Sequence, residues 1–273
     1  MGVDGIGRGP RPAQTYETRA PQGPVSPRPA SANNVAEPGP VDFIKDTFEK
    51  AKDGVGDVLG KVAEGINSIL NGGVQESKDK QKLQDIKDIL KDSPTGAAAV
   101  KYLEDKKIPV EFADGGGSYW DGNKIVIDRS QDPQEAALTL VHEVNHAKAT
   151  KEGTGADINK DTRTDYVQKM LDEEVTGTVD SIKAKNELVA NGKKVTASFP
   201  LEKEYNDAYK KAVDEAKKKD PKATEEQLRA IGEKAGYDAV MEGFKTGKVV
   251  TSTNGQPYPD YYGAAWDSVH PKP

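Results

Sequence analysis

Apolar positions change their spacing several times along the chain, and each change marks an element. From 41 to 72, Ile44, Phe48, Ala51, Val55, Val58, Val62, Ile66 and Ile69 recur every three or four residues with charges between them. That spacing predicts an amphipathic helix close to a heptad. Gly54, Gly56, Gly60 and Gly65 interrupt it, each costing about 1 kcal/mol against alanine, so the helix needs a partner face. "NGGVQESKDKQ" (71–81) reads as a break before the main body. Apolar residues at 83, 86, 89 and 90 then predict a helix, and "TGAAAVKYLEDKK" continues as another. "IPVEF" (108–112) reads as a short strand, "ADGGGS" as a loop, and "YWDGNKIVID" as a hairpin turning at Asp121-Gly122.

Asp132, Pro133 and Glu135 carry the residue types of a helix start, and the helix should run to about Thr150. "TRTDYVQKMLDEEVTGTVDSIKAKNELVANG" predicts a second long helix ending near Gly192. Two more follow, "EKEYNDAYKKAVDEAKKK" and "TEEQLRAIGEKAGYDAVMEGFKTG", the latter opened by a Thr224…Gln227 capping box. The last 25 residues are rich in aromatics and turn formers. The expected class is α+β: a small antiparallel sheet followed by helices.

Composition divides the chain further. Residues 1–40 hold eight of the seventeen prolines and six glycines, without apolar periodicity. Such a segment buries too little surface to offset chain entropy and is expected to be disordered, either as a linker or tail or as an address that a specialised secretion machine accepts. The implied organisation is 1–40 as a Pro/Gly-rich segment, 41–79 as amphipathic helix and linker, and 80–273 as the folded domain. A net charge of −6 argues against a nucleic-acid-binding body. No apolar run is long enough to cross a membrane, and the first residues lack the apolar core of a conventional secretion signal. The absence of cysteine removes disulfides, thiolate ligands and thiol nucleophiles.

Two of the three histidines fall in "ALTLVHEVNHAKA" (137–149), four apart with a glutamate between: His142-Glu143-Val144-Asn145-His146. Residues i and i+4 share a helix face, so both imidazoles can reach one Zn2+. Glu143, rotated by about 100° from His142, would lie beside the metal as a proton acceptor. The segment around them is apolar, and buried histidines need partners. Asn145 faces a neighbouring direction, at the helix surface or hydrogen-bonding behind the site. A short strand just before the helix, 124–128, would serve as an edge to hold an extended peptide.

Catalytic zinc usually takes a third protein ligand. His270 is available but flanked by proline. "LDEEVTG" on the next helix is better placed. The apolar stripe Val167, Leu171, Val175, Thr178, Ile182 leaves Glu174 about 60° from its centre and Glu173 about 160° away, facing solvent. Glu174 is therefore the expected third ligand, with Glu173 the alternative, and Gly177 would allow close approach of the two helices. A donor for a developing oxyanion could come from Tyr258, Tyr261, Tyr262 or His270, with Tyr262 the first to test.

"IVIDRS…LTLVHEVNHA…DEEVTG" resembles the gluzincin branch of the zincin metallopeptidases. It is most similar to bacterial effector and toxin metallopeptidases, including the type III effector group called M91, over roughly residues 105–180. The resemblance implies a zincin-like metallopeptidase domain with one Zn2+ on His142, His146 and Glu174, and Glu143 as catalytic base. It further implies a secreted endopeptidase, delivered without a cleavable signal peptide and acting on a protein of a target cell. Residues 41–72 could engage a secretion chaperone or another partner. Two other readings stand beside it: a non-catalytic zinc-containing binding module, and a zinc amidase acting on a non-protein amide such as peptidoglycan.

Overall fold

The computed structural model describes residues 75–251 and 254–271. The segments 1–40 and 41–72 expected from composition and periodicity lie outside the described residues. Helix α1 covers 75–90, so the break expected over 71–81 is absent from residue 75 onward. Ile86 and Leu90, two of its four predicted apolar positions, are fully buried. Asp79 pairs with both Arg129 Nε (3.2 Å) and Nη2 (3.1 Å), which ties this helix to the end of the sheet.

Helix α2 is Pro94–Lys106. The strands β1 (Val110–Ala113), β2 (Tyr119–Trp120) and β3 (Ile125–Asp128) form one sheet in the order β1-β3-β2. The hairpin is present: β2 pairs antiparallel with β3, and Asp121 Oδ1 accepts from the Asn123 and Lys124 amides at 2.8 Å. The sheet is mixed, however, and not antiparallel as expected, because β1 pairs parallel with β3. The loop 114–118 causes this. It passes over the end of β3 and sets the chain down two strand spacings away, about 10 Å. Gly115, Gly116 and Gly117 all take positive φ (72°, 81°, 74°) to make that hop. β3 then enters the slot between. It is buried on both faces, Ile125 and Ile127 completely. The edge-strand role expected for 124–128 is therefore excluded, since both sides of β3 are hydrogen-bonded to neighbours. The edge beside the next helix is β2.

Helix α3, Pro133–Glu152, begins with the capping box that Asp132 and Glu135 predict and ends at Gly153 in the left-handed region. From Ala136 to Val144 every residue is buried; a helix enclosed on all sides is a core helix. Helix α4, Arg163–Ala190, is capped by Thr162 and packs along α3. Ser181 Oγ donates to Leu138 O of α3 at 2.8 Å. Helices α5 (Glu202–Lys219) and α6 (Glu225–Lys245) form a hairpin, with the predicted Thr224–Gln227 box at the start of α6. The tail is not the run of turns expected: Tyr258–Val269 form helix α7, which packs on α4. Its buried face is Tyr258, Tyr262 and Gly263. The result is an α+β body, mostly helical, with a small mixed sheet on one side of α3.

Candidate metal centre

Helix α3 presents His142 and His146 on one face, as the four-residue spacing requires. Their Nε2 atoms face each other at 3.2 Å. Helix α4 brings Glu174 against both: Oε2 stands 3.5 Å from His142 Nε2, and Oε1 stands 3.9 Å from His146 Nε2. All three side chains are buried, with residue exposures of 3% or less. Among the described residues this is the single group of three histidine or acidic side chains that could hold a metal ion.

The donor set fits one. Ligand atoms about 2.1 Å from a tetrahedral ion lie about 3.4 Å apart, close to the 3.2 and 3.5 Å spacings found. Glu174 Oε2 has no hydrogen-bond partner among the described residues despite being buried. A carboxylate oxygen so placed is costly unless something cationic meets it.

Close approach of the two helices depends on Gly177. A Cβ there would lie 2.8 Å from His142 Nδ1 and 3.0 Å from the neighbouring ring carbons. The imidazole rests directly on the α4 backbone. This is the approach that Gly177 foreshadowed.

Glu174 is held from the far side. Tyr262 of α7 donates its hydroxyl to Glu174 Oε1 at 2.6 Å. Burial pushes the Glu174 carboxyl up, but the two histidines and this hydrogen bond outweigh it and hold the group below the usual carboxylate range. Burial, with the Glu174 charge, keeps the Tyr262 phenol protonated far above its ordinary value.

Glu143 lies beside the cluster and is 1% exposed. Burial raises its carboxyl above the usual range, against the pull of His142 and His146. The backbone N–H of Trp120, on β2, faces it and favours its charged form. Trp120 sits opposite Ile125, and the next residue, Asp121, bonds to Lys124 O. By antiparallel alternation Trp120 therefore turns its N–H away from β3. No local sequence signal points to this contact.

Glu173 corrects the expectation from helical phase. It neither faces open solvent nor joins the ligand set. Its Oε2 lies 3.3 Å from His146 Nδ1, and its Oε1 accepts from the Ala156 amide at 3.1 Å. The loop 153–157 folds back over α4 and supplies surroundings that a helical wheel omits. For His146, burial disfavours the charged ring, but Glu173, Glu174 and Glu143 together raise it to about 9. Asn145 donates to Asp180 Oδ2 at 3.0 Å, bracing α3 against α4 behind the histidines. His270 stacks on Trp266 with ring centroids 3.8 Å apart and lies outside the cluster. Tyr258 and Tyr261 pack against the Tyr262 ring.

Comparison of the chain with protein-family models, with curated proteins and with solved structures returns no match.

Proposed function

We propose that this chain is a zinc-dependent metalloendopeptidase. The observation that carries the reading is the buried cluster of His142, His146 and Glu174 with a buried carboxylate, Glu143, beside it. Two imidazoles and one carboxylate with no thiolate are a donor set for a catalytic zinc, which keeps a fourth position open. A site with only a structural role has no use for a base placed as Glu143 is. Zinc held there would supply Lewis acidity, polarising a carbonyl and making water acidic near neutral pH.

The chain's own groups supply the rest. Glu143 takes a proton from the attacking water on its carboxylate and returns it to the leaving nitrogen. Its raised affinity for protons, a product of burial, makes it a stronger base than an exposed glutamate. Tyr262 holds Glu174 in place through a neutral phenol. Each of the four groups of the centre is nearly inaccessible, so a peptide reaches Glu143 only by displacing residues that cover it.

The proposal extends to a secreted bacterial effector or toxin cleaving a protein of a target cell. Its support is the Pro/Gly-rich composition of 1–40 and the amphipathic pattern of 41–72, both in the sequence alone. No helix among the described residues is long and apolar enough to cross a membrane.

Elemental analysis of the purified protein is expected to find one zinc per chain. The wild type should cleave proteins in a target-cell lysate, and Glu143→Gln should abolish cleavage while keeping the metal. Protein without stoichiometric zinc, or a fully active Glu143→Gln, would overturn the reading. Zinc without proteolysis would favour a binding module, and release of peptides from peptidoglycan an amidase.

A further inference from the structure

Beyond the ligands and the base, we infer that Glu173 is a positioning residue for the centre: it fixes a proton on His146 Nδ1, so that the neutral ring turns its Nε2 lone pair toward Glu174 and His142. This rests on reading the cluster as a metal centre.

The geometry is specific to a carboxylate. Glu173 Oε2 faces His146 Nδ1 at 3.3 Å, and Oε1 takes the Ala156 amide at 3.1 Å. Ala156 N–H is a donor, and His146 Nδ1 meets an oxygen that, in the carboxylate, can only accept. A neutral ring must therefore carry its proton on Nδ1, which sends the Nε2 lone pair into the cluster. A glutamine at 173 has one acceptor oxygen. It could serve the ring or the amide but not both, and its NH2 would face whichever donor it failed. The loop leaves no slack, because a Cβ on Gly155 would lie 2.9 Å from Glu173 Oε1.

His142 makes the contrast. Its Nδ1 has no hydrogen-bond partner among the described residues and lies against Gly177. Of the two histidines, then, only His146 has a hydrogen-bond partner on Nδ1 among the described residues. Partners of this kind raise ligand basicity and hold ring orientation, and their loss typically weakens metal binding 10–100-fold.

Glu173 also has an outer side. It lines a cleft of about 290 Å³ together with Asn145, Lys148, Lys169 and Asp172, and its side chain is 14% exposed. Replacement therefore opens onto a cleft and leaves no sealed void, so the variants should fold.

The test is zinc affinity of the full chain, measured by competition with a chromophoric chelator, for wild type, Glu173→Gln and Glu173→Ala. Far-UV circular dichroism checks folding, and Gln serves alone if Ala does not fold. Both variants should bind zinc roughly 10–100-fold more weakly. In nitrogen-edited NMR of the zinc-loaded protein, a slowly exchanging His146 Nδ1 proton should be present in wild type and lost or fast-exchanging in Glu173→Ala. Wild-type affinity in the folded variants, or an unaltered Nδ1 proton, overturns the inference while the metal centre stands. A wild type that binds no zinc sinks the metal centre itself, and the positioning role with it.

Discussion

Gly177 carries no side chain where the His142 ring needs room. An added methyl would sit 2.8 Å from Nδ1, closer than real contacts allow, and the ring would have to give way. Alanine is otherwise favoured over glycine in a helix by about 1 kcal/mol. Gly177→Ala should therefore cost up to about 1–3 kcal/mol of stability through overpacking and displace His142, one of the proposed ligands. We expect at least about a tenfold loss of zinc affinity by chelator competition, since displacing a ligand costs no less than losing a hydrogen-bonded support. Undiminished affinity would show that the ring has slack. At this scale much was legible. The i,i+4 histidines, the glutamate between them and the phase of Glu174 each follow from one helix read alone. Glu173 escapes such a reading because its partners, His146 and the Ala156 amide, come from another helix and a loop. A helical wheel knows only its own axis, so it assigns a carboxylate far from the apolar stripe to solvent.

The helices were legible at the next scale up because their ends are written in side chains. Asp132 accepts from the Gln134 and Glu135 amides at 2.8 and 3.0 Å, and Glu135 answers the Asp132 amide. Asp132→Ala should cost about 0.5–2 kcal/mol in chemical denaturation. The cap lies more than two turns from His142, so zinc stoichiometry should stay at one. Loss of metal in a folded Asp132→Ala would mean that the helix start governs the site. The sheet was legible only in part. Alternation located the strands, but the partner of β1 depends on where the glycine loop sets the chain down, which no periodicity encodes. Helix α7 is hidden in the sequence for a related reason. Pro257, Pro259 and Gly263 read as turn formers, whereas Pro257 caps the helix, Pro259 occupies its first turn and Gly263 packs under the Arg163 guanidinium.

For the whole molecule, an ion shared by α3 and α4 would tie the two central helices together. Zinc that binds the folded chain alone adds about 2.7 kcal/mol when free metal is a hundredfold above its Kd, or roughly 5–10 °C in Tm for a body of this size. This gain depends on pH through His146, whose value in the fold is raised to about 9 from an ordinary 6.5. With the folded value raised, the proton stabilises the metal-free fold fully below about 6.5, and that contribution fades as pH climbs through 9. Ligation needs Nε2 bare, so zinc competes with that proton. The zinc-induced rise in Tm should be smaller near pH 6 and larger near pH 8.5; equal shifts would show that His146 carries no competing proton. The sheet carries a different consequence. β2 is two residues long, and one of its outward amides is already turned to Glu143. Such a brief border gives a stray extended chain almost nothing to zip onto, which is how sheets escape fusing with one another. A polypeptide admitted there would have to be chosen by its side chains, with backbone pairing contributing little to the choice.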